Sequence, residues 1–140
     1  MPTLFTKIID GDLPGTFVWR DDLCVAFLTI APLAPGHTLV VPRAEIDHWL
    51  DLDPALTAHL AVVAQTIGRA QQVAFSPNRI GLIIAGLEVP HTHLHVIPIE
   101  RESDLDFSRA TPATPSELDA AATPIRAALR AARHSGVADA

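Results

Sequence analysis

Pro90-His91-Thr92-His93-Leu94-His95-Val96-Ile97-Pro98 sets a histidine at every second position and fills the gaps with β-branched or apolar residues. Period-two alternation of this kind reads as a β-strand. On a strand, residues i and i+2 share a face about 6.6 Å apart. His91, His93 and His95 are therefore expected as a row of imidazoles on one face, with Thr92, Leu94 and Val96 on the other. Such a row is costly to charge, because each protonated ring disfavours the next. One histidine on an edge strand is an ordinary solvated residue; three in strict alternation point to chemistry. Two readings fit: a metal site, or a nucleophile with its acid–base and phosphate-binding partners.

Upstream, Ile80-Gly81-Leu82-Ile83-Ile84 is an apolar run closed by Ala85-Gly86, and Arg79 to Ile84 reads as the preceding strand. Leu56, Leu60, Val63, Ile67 and Ala70 recur at helical spacing, so one helix packs an apolar face on the sheet. Asp53 suits its N-cap and Pro54 its first turn. The helix should end near Phe75, before Ser76-Pro77-Asn78. His37 to Pro42 is a further strand, introduced by the stiff loop Ala31-Pro32-Leu33-Ala34-Pro35-Gly36. Phe17 to Arg20 and Cys24 to Leu28 form a hairpin turning at Arg20-Asp21-Asp22. Leu4 to Ile9 suits a short helical turn, ended by Asp10-Gly11-Asp12-Leu13-Pro14-Gly15. After Glu100 the chain turns polar, and Thr111-Pro112-Ala113-Thr114-Pro115 is a stiff linker. Ser116-Glu117-Leu118-Asp119 has the form of a capping box for an Ala-rich helix to about His134. Arg126, Arg130 and Arg133 share one side of that helix, which reads as a solvated face. The expected division is a domain over 1–104, then a linker and helical tail over 105–140.

The bulk numbers bound the function. With 140 residues, 49% hydrophobic and 19% charged, the chain can build one core. Its net charge of −6 argues against a nucleic-acid polymer as partner, while leaving room for a small anion in a local site. The single cysteine, Cys24, sits in an apolar run and is expected as a buried small hydrophobe. It excludes an intrachain disulfide and a cysteine-rich metal site. No signal-like start and no run of membrane-spanning length is present, so the expectation is a cytoplasmic protein with no membrane partner.

The triad segment, with Ala34-Pro35-Gly36-His37-Thr38-Leu39-Val40-Val41-Pro42 and the turn Gly86 to Val89, resembles the histidine-triad (HIT) family of nucleotide hydrolases and transferases. Phe5-Thr6-Lys7-Ile8-Ile9-Asp10-Gly11-Asp12-Leu13-Pro14 and Ala26-Phe27-Leu28 are also similar, and the likeness covers about residues 3–100. It implies an α+β fold: an antiparallel sheet of about five strands with one long helix, paired into a homodimer, here with a C-terminal helical tail. It implies hydrolysis or nucleotidyl transfer, phosphoramidase-like, at the α-phosphate of a nucleoside phosphoramidate or dinucleoside polyphosphate. No cofactor and no metal is implied; the partner is a purine nucleotide or related small molecule. His93 takes the nucleophile's position. His95 takes that of the proton donor, His91 that of the orienting member, and His37 extends the hydrogen-bond chain. Gly86 and Val89 would face the phosphate; Phe5, Ile8 and Leu28 would contact the nucleoside.

The chain also departs from the family. Thr3 and Thr6 stand where many bacterial members carry zinc-binding cysteines, and His48 is then expected as a surface or cap residue. Thr29 replaces an acidic residue that holds the ribose hydroxyls. Leu87 and Glu88 replace polar residues of the phosphate turn. Two alternatives stay open from the residues: a metal-dependent hydrolase using the imidazole row, and a nucleotide-binding module without turnover. Three imidazoles at i, i+2 and i+4 spread over roughly 13 Å, which is too far for all three to reach one ion.

Overall fold

The computed structural model describes residues 1–140. Its elements are α1 (Leu4–Ile9), β1 (Phe17–Arg20), β2 (Cys24–Leu28), β3 (Thr38–Pro42), α2 (Pro54–Phe75), β4 (Arg79–Ile83), β5 (Leu94–Ile99) and α3 (Pro115–Ala131), with short 3₁₀ turns between them. The sheet is wholly antiparallel in the order β1-β2-β3-β5-β4. This is the α+β architecture expected, with five strands and one long helix. No helix is long and apolar enough to cross a membrane.

The alternation of side chains sorts the sheet into two faces. Val18, Ala26, Leu28, Val40, Leu94 and Val96 pack against Leu60, Val63 and Ile67 of α2. Leu118, Ala122, Ile125 and Leu129 of α3 join the same core. On the opposite face, Phe5 of α1 meets Phe17, Val25, Phe27, Leu39 and Val41. Cross-strand register runs Phe17–Phe27–Leu39–His95–Ile83, so period two carries His95 to the α1 face.

The helix signals act as expected at α2. Asp53 accepts from the Ala55 amide and Pro54 opens the first turn. Ser76 ends it with φ 48°. The cap of α3 lies elsewhere than the sequence suggests: Thr114, not Ser116, is the N-cap, and its hydroxyl and the Glu117 carboxylate close the box reciprocally. Pro115 decides this, because a proline fits the first helical position and leaves the preceding residue extended. The solvated face expected for the α3 arginines holds at Arg130 and Arg133, which are exposed, and fails at Arg126, which is half-buried. Arg126 Nε donates to the Phe17 carbonyl at 2.8 Å, Arg130 pairs with Asp139, and Arg133, with φ 63°, lies beyond the helix end.

Candidate active site

Strand β5 begins at Leu94, so of the three triad histidines only His95 is on the strand. His91 and His93 belong to the extended lead-in. They are held there by contacts outside the ladder. The Thr92 amide donates to the Ile46 carbonyl, and the Thr92 hydroxyl donates to the same oxygen. The imidazoles gather around Phe5: its ring meets His91 at 5.7 Å and His93 at 4.9 Å, both edge to face. His93 and His95 lie 4.9 Å apart, and His95 and His37 5.2 Å.

Hydrogen bonds fix where each ring carries its proton. The Leu33 amide can only donate, and it reaches His37 Nδ1 at 3.1 Å. His37 therefore holds its proton on Nε2 and donates it to His95 Nδ1 at 2.9 Å. His95 in turn carries its own proton on Nε2. The His91 carbonyl can only accept, so His93 Nδ1 donates to it at 2.7 Å and leaves a lone pair on Nε2. His91 Nε2 donates to the Pro42 carbonyl at 2.7 Å, and in that tautomer its Nδ1 accepts from the Thr3 hydroxyl at 2.6 Å.

Burial keeps the three working rings neutral. His37 is pushed down to about 3 by burial and by its neighbours His95 and His93. Burial, with His93 beside it, lowers His95 to about 4. His93 is lowered chiefly by burial, against which its bond to the His91 carbonyl and the Glu88 carboxylate pull upward. Neutral rings are what the tautomer chain requires.

Only 6% of His93 is exposed, so access decides whether it can react. Gln71 Oε1 is the one buried side-chain nitrogen or oxygen without a partner. The unpartnered Nε2 atoms of His93 and His95 therefore both reach solvent. His93 lines a cleft of about 180 Å³ with Asp47, His48, Ile84, Gly86 and Leu87. Gly86 has φ +82°, a left-handed conformation that only glycine takes without strain. The amides of Gly86, Leu87, Glu88 and Val89 donate no hydrogen bond within the chain. A run of free backbone N–H groups beside a positive-φ glycine can hold an anion.

The residues expected at the nucleoside lie close by. Phe5, Ile8 and Leu28 line one apolar cavity of about 360 Å³, with Thr29, Leu39 and, from the C-terminal segment, Ala113 and Leu118. Val89 is not in that lining; it packs against the apolar cluster that includes Phe5, and its carbonyl accepts from the His91 amide at 2.8 Å. The Thr29 hydroxyl oxygen accepts from the Ala31 amide at 3.3 Å. His48 caps a short 3₁₀ turn by accepting from the Leu50 amide, as a cap residue would.

The imidazoles do not converge on a metal. Of the six ring nitrogens of His91, His93 and His95, four are engaged in the bonds above, leaving His93 Nε2 and His95 Nε2. Two open nitrogens fall short of the three protein ligands of a catalytic zinc site.

Sequence reasoning missed Thr3 against His91, the Leu33 amide on His37 and the Phe107 ring 4.8 Å from His95. Thr3 and His91 are 88 residues apart, and the Leu33 and Pro42 contributions are backbone groups, so no side-chain motif signals them.

The family model of the HIT domain matches residues 10–102. An uncharacterized HIT-like protein of Borreliella burgdorferi is 38% identical over 113 residues, covering 76% of this chain and 81% of the relative. Adenylylsulfatase HINT3 of Arabidopsis thaliana is 27% identical over 132 residues, covering 91% of this chain and 67% of that protein. The crystal structure of a Hit-like protein involved in cell-cycle regulation from Bartonella henselae matches with a TM-score of 0.81 at 31% identity, covering 91% of this chain and 96% of that one.

Proposed function

The chain belongs to the HIT family, and on that premise we propose that it hydrolyses or transfers nucleotides through a covalent nucleotidyl-histidine on His93. His93 Nε2 attacks the α-phosphorus of a nucleoside phosphoramidate or dinucleoside polyphosphate and forms a P–N bond. The bond from phosphorus to the leaving group breaks, and His95 Nε2–H supplies the leaving group's proton. Water then attacks phosphorus, returns a proton to His95 Nε2, breaks the P–N bond and releases the nucleoside monophosphate. His37 and His91 are positioning residues: one sets the tautomer of His95, the other supplies the carbonyl that sets that of His93. The free amides from Gly86 to Val89 cradle the non-bridging oxygens, and the cavity of Phe5, Ile8 and Leu28 takes a purine nucleoside. A nucleotide substrate agrees with the relative of Arabidopsis thaliana named adenylylsulfatase HINT3.

One observation carries this reading: hydrogen bonds leave His93 a solvent-reaching lone pair and His95 a solvent-reaching proton, side by side. Acid-quenched enzyme, mixed with an adenosine phosphoramidate and digested, should carry a nucleoside monophosphate mass on the peptide of His93. An adduct on another residue, or turnover that never shows one, overturns the assignment. Binding of nucleotide with no turnover by the wild-type chain would identify a binding module instead.

The homodimer belongs to the same proposal. Strand β4 is an unpaired sheet edge, and Leu82 on it is 53% exposed. Beside it, Ala61, Gln65, Arg69, Gln72 and Ile80 line an open groove between α2 and β4. A second copy meeting along this edge continues the sheet and covers Leu82. Leu82→Asp should yield a monomer in light scattering. The lone buried cysteine fits a cytoplasmic compartment.

A further inference from the structure

At the far end of the β1–β2 hairpin, three side chains of different chemistry aim at one point. His59 Nε2 on α2 lies 2.8 Å from Asp21 Oδ2, and Cys24 Sγ lies 3.6 Å from the same oxygen. The three ligand atoms are all within 4.8 Å of one another. Both neighbours reach Oδ2 as donors, a thiol S–H and an imidazole N–H, so two protons occupy the space between three electron-pair donors. The carboxylate itself is fixed by groups that would not move. The Leu23 and Cys24 amides each donate to Oδ1 at 2.8 Å, and the Trp19 indole donates to Oδ2 at 2.8 Å. Cys24 is fully buried; Asp21 and His59 are partly exposed, which gives an ion an entry path and a place for a water ligand.

We propose that Asp21, Cys24 and His59 form a binding site for a thiophilic divalent cation, zinc above all, with water in the fourth position. Sulfur, imidazole nitrogen and carboxylate oxygen bind zinc at about 2.0–2.3 Å, which in a tetrahedron puts ligand atoms about 3.3–3.7 Å apart. The Cys24–Asp21 separation already meets that spacing, and the His59–Asp21 pair must open by less than about 1 Å. Asp21 is well set as a ligand. Burial works against its charge, but the bonds from Trp19, Cys24, Leu23 and His59 outweigh it and hold the carboxyl at about 2. The Cys24 thiol is pushed up by burial and by Asp21, so it keeps its proton until an ion arrives. Binding forms the metal–sulfur and metal–nitrogen bonds: the Cys24 S–H breaks and releases its proton to buffer, while the His59 proton moves through solvent from Nε2 to Nδ1, with no further net release. The ion would clasp the hairpin to α2, away from the imidazole cluster, and the site stands whether or not His93 is a nucleophile.

Because Cys24 is the only cysteine in the chain, cobalt gives an unambiguous test. Cobalt(II) added to the full-length protein should produce a thiolate-to-metal charge-transfer band at one ion per chain, displaced by zinc. Calorimetry of zinc binding in buffers of different ionisation enthalpy should show about one proton released per ion. Zinc should raise the unfolding midpoint of the wild type but not of Cys24→Ser or His59→Gln, and cobalt should lose its band in Cys24→Ser. His59 is partly exposed, so His59→Gln keeps the test open should the serine variant fold poorly. Cobalt binding without a thiolate band, or zinc affinity unchanged in His59→Gln, overturns the proposal.

Discussion

On the α2–α3 side of the sheet, seventeen buried side chains form one continuous apolar cluster, whereas the α1 side has a cluster of seven with His37, His91 and His93 buried beside it. The helix side is mostly apolar; its fully buried polar side chains are Gln71, which donates to the Gly36 and Val96 carbonyls, and Thr38, which donates to the Gly36 carbonyl. The α1 side buries rings whose every polar atom must be paired or left open to solvent. Stability and chemistry are thus assigned to opposite sides of the sheet; the strand pleat turns His95 to the α1 side, and the segments leading into β3 and β5 bring His37, His91 and His93 beside it. A substitution on one face should move one property and spare the other, which makes the division measurable.

The largest effect tests the α1 side alone. His93→Ala removes the attacking nitrogen and should cut turnover by at least about 10⁴-fold. Nucleotide affinity should stay within about tenfold, or roughly 1.4 kcal/mol, because the cavity of Phe5, Ile8 and Leu28 is untouched. Kinetics and equilibrium binding on one preparation check it. His37→Phe should follow: with its donor to Nδ1 gone, His95 no longer presents its proton on Nε2. A lost general acid costs about 10²–10⁴-fold. The loss should fall on kcat, since His37 makes no contact with the nucleoside cavity.

The helix side supplies the converse. Ile67 is fully buried in the larger cluster. Ile67→Ala should lower unfolding free energy by about 2–5 kcal/mol, with kcat near wild type in the cold. Denaturant melts and kinetics on that variant together would break the comparison if both fell. Acid sharpens it from the other direction. His37 and His95 titrate near 3 and 4 in the folded chain but near 6.5 when unfolded. Between those values the unfolded chain binds protons that the folded chain refuses. The contribution of these two rings should therefore fall as pH drops below about 6.5, by up to about 1.4 kcal/mol per pH unit for each ring, and reach its limit near 3–4, below which protonation of Asp21 continues the loss toward about 2. Substituting His37 should flatten that slope; Ile67→Ala should shift the curve without changing its shape.

How far the sequence exposes this division differs from residue to residue. The alternation around His95 and the spacing of Leu60, Val63 and Ile67 are periodic, and periodicity is local, so strands, long helix and core face were legible. The Pro54 and Asp53 signals act within one turn, so the start of α2 was legible too. Gly36 was legible as a loop glycine able to take a positive φ, and its φ is +88°; the Phe75 ring, into which any Cβ would run, is a tertiary fact. The placement of His91 and His93 ahead of the strand was not legible, because Ile46 and Pro42 carbonyls, rather than a ladder partner, hold that segment. Nor was the cap at Thr114, where two overlapping Ser/Thr-to-acid spacings compete and Pro115 selects between them.

The smallest effect bears on how far the α1 side reaches beyond its histidines. Thr3 does two things with one hydroxyl: it accepts from the Thr6 amide as the cap of α1, and it meets His91 Nδ1. His91 has no open nitrogen, so it can influence the reaction only through its backbone carbonyl, on which the tautomer of His93 depends. Thr3→Val deletes the hydroxyl while keeping the shape. Losing the cap should lower stability by about 1 kcal/mol. If the hydroxyl also steadies His91, kcat should fall about tenfold, roughly 1.4 kcal/mol, with KM unchanged. Thr3→Ser should restore both, since serine caps and donates equally well. A Thr3→Val enzyme with lowered melting and full kcat would confine Thr3 to the cap, and would mean that the Pro42 carbonyl alone suffices to hold the ring.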